Sequence, residues 1–204
     1  ICRALLRQSA VDPKSIAGVG ISAVFSMIPV DAEARPLRPG GIMYGVDTRS
    51  TREIAEVSGR IGEATILART GNPLTSQSMG PKILWLKNNE PEVYAAAHCF
   101  LPAAGFIVAR LTGAFVIDHL EACFYGPLYD PQLGGWAPDL CEGIVDIGRL
   151  PQVRWACEVA GKVSEQAAAA TGLAAGTPVT VGTSDVATEA LSIGVTRPGE
   201  TMLM

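Results

Sequence analysis

An acidic residue lies near the C-terminal end of this chain, where a strand is predicted to lead into a helix. The sequence from Gly176 to Asp185 is GTPVTVGTSD, which predicts a β-branched strand over residues 178–181 that ends at Gly182. A carboxylate held in this way at the mouth of a cleft has the placement that a general base needs. The alternative is that Asp185 or Ser184 only caps the helix, because Asp and Ser are favoured at that position.

The elements that must position Asp185 alternate between short apolar runs and helical patterns. Apolar runs predict strands at residues 16–22, 25–31, 42–46, 99–101 and 158–163, in addition to 178–181. Apolar periodicity, with proline at first turns and glycine at ends, predicts helices at residues 50–59, 61–69, 81–87, 91–97, 103–111 and 164–171. Residues 125–138 are rich in glycine, proline and aromatic residues, which predicts irregular structure. The alternation predicts an α/β fold, a mixed sheet flanked by helices.

The composition narrows the classes of partner and of cellular compartment. Of the 204 residues 48% are apolar, which is ample for a hydrophobic core, and the formal net charge is −4. Because no block of Lys and Arg occurs, nucleic acid is not an expected partner, and because no apolar run reaches transmembrane length, neither is a membrane. The five cysteines are odd in number and contain no Cys-x-x-Cys pair, which favours a cytoplasmic protein without a disulfide framework or structural zinc.

Neither end of the chain has the pattern of a domain boundary. The chain begins at Ile1 with a pattern typical of the end of a helix, and it stops at Met204 inside a pattern typical of a strand. We therefore expect an internal piece of a longer protein.

The order of several short motifs along the chain resembles the FGGY family of carbohydrate kinases. The motifs are GVGIS at 18–22, DAEARPLRP at 31–39, VDTR at 46–49, KILWL at 82–86, EPE at 90–92, RLTG at 110–113 and TGLAAGTPV at 171–179. Within the family the chain is most similar to xylulokinases. The resemblance implies a ribonuclease H-like or actin-like ATPase fold, here incomplete. It also implies ATP-dependent phosphorylation of a pentulose or a related sugar or polyol, with ATP and Mg²⁺ as cofactors.

The resemblance also implies a division of labour between this chain and the rest of a kinase. Residues 1–204 correspond to most of the N-terminal sugar-binding domain, without its N-terminal Asp-x-Gly-Thr hairpin and without the C-terminal nucleotide domain. In the family those absent parts hold the phosphates of ATP, so we expect the isolated chain to be inactive. A small-molecule sugar is the implied partner, and the oligomeric state is open, with a homodimer among the options.

Three site residues follow from the resemblance. It assigns the catalytic base to Asp185, because the spacing from Gly182 to Asp185 matches the family pattern G-x-x-D. Residues 23–27, AVFSM, stand where xylulokinases carry a sugar-contacting G-Q-M-H-G stretch, although this chain has neither the Gln nor the His. The candidate substrate-binding residues are therefore Phe25 as a pocket wall, Ser26 as a partner of a sugar hydroxyl, and Asp185 itself. The alternative is a buried strand with one satisfied serine.

Two other groups of polar residues have competing structural explanations. Asp47 and Arg49 can contact a sugar, but a structural pair at a helix start is favoured. Lys82 can contact substrate or a neighbouring carboxylate, and the second is favoured. Trp85 is expected to pack in the core.

A metal site and a hydrolase remain as weaker hypotheses. Asp118, His119 and Glu121 suggest metal ligands, but their spacing does not place all three on one helix face, so a solvated turn is favoured. No G-x-S-x-G elbow supports a Ser-His-Asp hydrolase. Two competitors of the kinase interpretation stay open: a non-catalytic sugar-binding or sensor domain of the same fold, and an α/β hydrolase that uses Asp185 or Ser184.

Overall fold

The computed structural model describes residues 1–203. Within them the helices are α1 (Cys2–Ser9), α2 (Thr51–Ile61), α3 (Glu63–Thr70), α4 (Met79–Asn89), α5 (Pro91–Ala96), α6 (Ala103–Thr112), α7 (His119–Cys123), α8 (Pro138–Cys141), α9 (Glu165–Thr171) and α10 (Asp185–Ser192). The strands are β1 (Ser22–Ala23), β2 (Ser26–Val30), β3 (Ile42–Met43), β4 (Cys99–Pro102), β5 (Val116–Asp118), β6 (Tyr129–Asp130), β7 (Gly135–Trp136), β8 (Gln152–Arg154), β9 (Val159–Lys162), β10 (Pro178–Thr180) and β11 (Thr183–Ser184).

The strands pair in both directions. Strand β2 is the centre of an antiparallel sheet with β3 and β4, in which Met27 lies opposite both Ile42 and Pro102. Antiparallel pairs also join β9 to β10 and β6 to β7, whereas β5 pairs with β8 and β1 with β11 in parallel. The predicted α/β class with a mixed sheet is therefore confirmed.

Most predicted elements are present, and the differences have local causes. Of the predicted strand at 16–22, only β1 and a single bridge from Val19 to Val179 form, because Gly18 and Gly20 weaken strand structure there. Residues 125–138, predicted as irregular, contain the short hairpin of β6 and β7 and the start of α8. In the described part of the chain, no helix is long and apolar enough to cross a membrane.

The strand that leads to Asp185 is anchored in a core of its own. This core lies among α6, α9 and β10, and its buried members are Val108, Leu111, Val116, Val163, Ala167, Val179 and Val181. A larger core fills the space among β2, β4, α2 and α4. Because interiors are packed as densely as organic crystals, β10 is a rigid base for the residues that follow it.

Candidate active site

Gly182 brings the end of β10 against the backbone of residue 21. Its φ is +79°, a conformation that glycine adopts readily. A Cβ atom at this position would lie 2.6 Å from the carbonyl oxygen of Ile21. The close approach lets β11 pair in parallel with β1, with Ala23 opposite Ser184. The next residues along the two strands, Val24 and Asp185, therefore leave the pairing side by side.

The Asp185 carboxylate is held through one of its two oxygens. The Ser184 hydroxyl donates to Oδ1 at 2.9 Å, and the Val186 N–H donates to the same oxygen at 2.9 Å. A 2.7 Å hydrogen bond between the Ser22 and Thr188 hydroxyls links α10 to β1. Within residues 1–203 both hydrogen bonds to this carboxylate end on Oδ1.

The capping interpretation of this region holds in part. Ser184 is the N-cap residue of α10, but its side chain makes no capping hydrogen bond. Instead, the Asp185 carboxylate accepts from Val186, one of the N–H groups of the first turn that lack a partner within a helix. The same bond fixes the orientation of the carboxylate, so a capping contact and a catalytic placement are compatible. The role of Asp185 as a base stays a prediction.

Phe25 and Ser26 are placed in the interior of the chain. Phe25 is 3% exposed, and its ring centroid lies 4.7 Å from that of Phe124 and 5.9 Å from that of Tyr125. Ser26, at the start of β2, is also buried. This burial agrees with the structural alternative, and contact with a sugar stays a prediction for both residues. Val24, the residue that follows β1, is 43% exposed.

Asp118 and Glu121 are buried rather than part of a solvated turn, so that prediction is wrong. Asp118 is the last residue of β5, and its Oδ1 accepts from the Glu121 N–H at 2.9 Å at the start of α7. Its Oδ2 accepts from the Thr183 hydroxyl at 2.8 Å, which ties α7 to β11 and so to Asp185. Burial first, and then the charges of Asp118 and Asp185, raise the pKa of the Glu121 carboxyl group well above its ordinary value.

Comparison with known proteins shows to which protein family this chain belongs. Residues 1–192 match the N-terminal domain of the FGGY family of carbohydrate kinases. The chain belongs to this family. An L-xylulose/3-keto-L-gulonate kinase of Escherichia coli strain K12 is 34% identical over 204 residues, which cover 96% of this chain and 39% of the relative. An autoinducer-2 kinase of the same strain is 30% identical over 209 residues, which cover 99% of this chain and 38% of the relative.

Solved structures of the FGGY family share the fold of this domain. The crystal structure of xylulose kinase from Rhodospirillum rubrum has a TM-score of 0.86 and 31% identity, covering 96% of this chain and 40% of that one. A xyloylose kinase from Brucella ovis has a TM-score of 0.81 and 28% identity, covering 97% and 40%. The FGGY chain thus has the actin-like ATPase fold of the family's N-terminal domain and spans about two fifths of the length of its relatives.

Membership of a kinase family implies ATP and Mg²⁺, and residues 1–203 provide no complete metal site by themselves. Among residues 1–203, no group of three or more His, Cys, Asp and Glu side chains is placed to hold a metal ion. Both oxygens of Asp118 are already occupied by protein donors. The sequence has no G-x-x-x-x-G-K-[ST] phosphate loop either.

Lys82 in the FGGY domain contacts the backbone of a loop. The favoured prediction, a contact with a neighbouring carboxylate, is therefore wrong. Its buried Nζ donates to the carbonyl oxygens of Met43 and Tyr44. Burial lowers the pKa of Lys82 to about 8, and the nearby Asp47 opposes this shift. Lys82 thereby holds the loop after β3 against α4.

Asp47 and Arg49 form an ion pair in the same loop, just before α2 begins at Thr51, as the favoured interpretation of a structural pair at a helix start predicts. Arg49 Nε donates to Asp47 Oδ1 at 2.8 Å. The Arg49 guanidinium lies 4.7 Å from the centroid of the Trp85 ring on α4, a cation–π contact. Trp85 is partly buried against the main core, also as predicted.

Replacement of Lys82 by Met is expected to destabilise the protein by about 1–3 kcal/mol, because two carbonyl groups lose their donor. Urea denaturation of the full-length protein measures the change. Lys87→Met on the same helix is the matched control, since exposed Lys87 donates to a single carbonyl, that of Gly143. Equal stability of the two variants would contradict a clamping role for Lys82.

Proposed function

We propose that this chain is the sugar-binding part of an ATP-dependent kinase for a pentulose or a related sugar or polyol, with Asp185 as general base. The observation that carries the proposal is the Asp185 carboxylate, fixed through Oδ1 at the start of α10 and directly after β11, which pairs with Ser22 and Ala23. Its Oδ2 would accept a hydrogen bond from the reacting hydroxyl group, direct the hydroxyl at the phosphoryl donor and take its proton. Positioning is the main contribution, because phosphoryl transfer needs little covalent help from the protein.

Residues 1–204 are proposed to form most of the N-terminal sugar-binding domain of that kinase. The family match over residues 1–192 and the coverage of 39% of a full-length relative support this division. The phosphates of ATP and the Mg²⁺ ion would then be held by other parts of the kinase, the Asp-x-Gly-Thr hairpin and the nucleotide domain.

The substrate is proposed to be a sugar of the pentulose class. The similar proteins named above as kinases of L-xylulose and of xylulose support this class. Ser26 is proposed to bind a sugar hydroxyl and Phe25 to support the pocket wall from behind, through its contacts with Phe124 and Tyr125. Val24 replaces a hydrogen-bonding Gln of the family pattern beside Asp185, so recognition of the sugar must rely on other polar groups.

A cytoplasmic location is part of the proposal, and the state of the cysteines supports it. All five are free thiols, as expected in a reducing compartment. Burial raises the pKa of Cys99 and of Cys141 to about 12, so both remain protonated and unreactive.

The proposal is tested by incubating the full-length protein with a panel of ketoses and polyols, with and without ATP. A kinase forms sugar phosphate and ADP together, and only when both substrates are present. A non-catalytic sugar-binding or sensor domain would bind a sugar without releasing ADP. A hydrolase that uses Asp185 or Ser184 would give product without ATP.

The isolated 204-residue chain is expected to release no ADP in response to sugar. The physical reason is that the chain spans about two fifths of its relatives, and the parts proposed to hold the phosphates of ATP are not among its residues. A coupled assay for ADP, with the full-length protein at the same concentration as control, measures this. Sugar-dependent ADP release by the isolated chain would contradict the proposed division between domains.

A further inference from the structure

Glu121 carries a buried carboxyl group that lacks a hydrogen-bond partner. Its side chain is 1% exposed, and within residues 1–203 its Oε1 atom is unpaired. Buried polar atoms in native proteins are nearly always hydrogen-bonded, so an orphaned carboxyl oxygen calls for an explanation.

A structural role at the start of α7 does not explain this carboxyl group. Asp118 and Glu121 have the spacing of a capping box, and the first half is present because Asp118 Oδ1 accepts from the Glu121 N–H. In the second half of such a box, the Glu side chain accepts from the N–H of the capping residue. That bond is absent from the described hydrogen bonds, and Oε1 remains unpaired.

The charged and titratable groups around Glu121 do not neutralise it. Arg154, the neighbour of Asp118 across the β5–β8 pair, binds Glu158 at 2.8 Å. His119 Nδ1 is hydrogen-bonded to the Tyr129 hydroxyl at 2.7 Å. The Tyr125 hydroxyl donates to the carbonyl of Phe100 at 2.9 Å.

The remaining charges near Glu121 are the carboxylates of Asp118 and Asp185. Together with burial they raise the pKa of Glu121, which favours an uncharged carboxyl group. Such a group can both donate and accept a hydrogen bond, as a sugar hydroxyl can.

The position of Glu121 links it to the proposed sugar site. Helix α7 packs against β11, the two-residue strand that ends immediately before Asp185. The hydrogen bond from Thr183 to Asp118 fixes this packing. The carboxyl groups of Glu121 and Asp185 therefore lie in the first turns of two helices that are connected through β11.

We propose that Glu121 is a second sugar-binding carboxyl group of this site, and that a substrate hydroxyl is the partner that its Oε1 lacks. This inference rests on the proposed function, because it takes the sugar bound at Asp185 to be the ligand. A Glu side chain has three rotatable bonds, so the direction of its carboxyl group can adjust to a ligand hydroxyl. Glu121 then selects sugars that carry this hydroxyl, since a buried polar group left unpaired disfavours an analogue without it.

The test combines variants of Glu121 in the full-length protein with sugars that each lack one hydroxyl group, in the manner of a double-mutant cycle. Calorimetry measures the Kd of L-xylulose, D-xylulose and the singly deoxygenated analogues of whichever ketose binds. Glu121→Leu is expected to weaken binding of the parent ketose by about 10–100-fold, whereas Glu121→Gln, which keeps a donor and an acceptor, stays within about threefold. One deoxy analogue should bind wild type and Glu121→Leu equally weakly. Should Glu121→Leu not fold, Glu121→Met replaces it.

The outcomes separate this inference from the proposed function. A uniform loss of affinity for the parent ketose and every analogue indicates a structural role and overturns the inference, as does unchanged affinity in Glu121→Leu. A wild-type protein that phosphorylates sugars while Glu121 variants bind normally overturns the inference alone. If the affinities follow the expected pattern but wild type never forms sugar phosphate, the proposed kinase activity is wrong and the role of Glu121 in sugar binding stands. If wild type binds no sugar, both are wrong.

Discussion

Replacement of Asp185 by Asn in the full-length protein is expected to lower kcat for sugar phosphorylation by about 10²–10⁴-fold, the range typical of a lost general base. The Asn side chain keeps the shape of Asp185, and its Oδ1 can still accept from the Ser184 hydroxyl and the Val186 N–H. An amide nitrogen then stands in the place of Oδ2 and cannot accept a proton. The sugar should therefore still bind, and the loss should fall on kcat more than on KM.

The matched control for this variant is Glu189→Gln. Glu189 is an exposed carboxylate one turn further along α10, so its neutralisation makes the same change of charge on the same helix and leaves Asp185 in place. Steady-state kinetics and calorimetric binding of the sugar are measured for both variants. Wild-type kcat in Asp185→Asn would end the assignment of the base. Loss of sugar binding with unchanged kcat at saturation would assign Asp185 to substrate binding instead.

Local patterns were sufficient to predict most of the fold. Helices α6 and α9 end at Gly113 and Gly172, both in the left-handed conformation, as expected for glycine after a helix. The strand over residues 178–181 and the helix start at Asp185 were predicted from β-branched residues and a glycine. Each of these signals involves residues that are close together in the sequence. They can therefore be recognised without knowledge of contacts between distant parts of the chain.

The surroundings of Asp185 depend on contacts that no local pattern shows. The hydrogen bond from Thr183 to Asp118 joins residues 65 positions apart. Neither residue type indicates this partner, so Asp118 and Glu121 were placed in a solvated turn. Lys82 was misassigned for a similar reason, because its acceptors are backbone carbonyls, which carry no sequence signal. Pairing of β1 with β11, from opposite ends of the chain, depends on the shape of the backbone at Gly182.

Replacement of Gly182 by Ala is expected to destabilise the protein by about 2–4 kcal/mol and to lower kcat/KM by about 10²-fold. Part of the free-energy loss comes from a positive φ of +79°, which costs an L-residue about 1–2 kcal/mol. The rest comes from a Cβ atom placed 2.6 Å from the Ile21 carbonyl oxygen, a backbone atom that can move away only if β1 separates from β11. That separation displaces Asp185, and misplacement of a reacting group by about 1 Å can cost 10²-fold in rate.

Gly176→Ala separates the two contributions to the Gly182→Ala effect. Gly176 also has a positive φ, of +87°, but a Cβ atom there would meet nothing within 4 Å. The Gly176→Ala variant should therefore lose only the 1–2 kcal/mol of stability that the backbone conformation costs, about the same as the first part of the loss at Gly182. Its kinetics should equal those of wild type. Urea denaturation gives the free energy of unfolding for both variants, and kinetics with the same sugar gives the second comparison. Equal losses of stability and activity in the two variants would show that the close approach of β10 and β11 to residue 21 does not position Asp185. A larger loss in Gly182→Ala, with kcat/KM reduced in that variant alone, is the expected result.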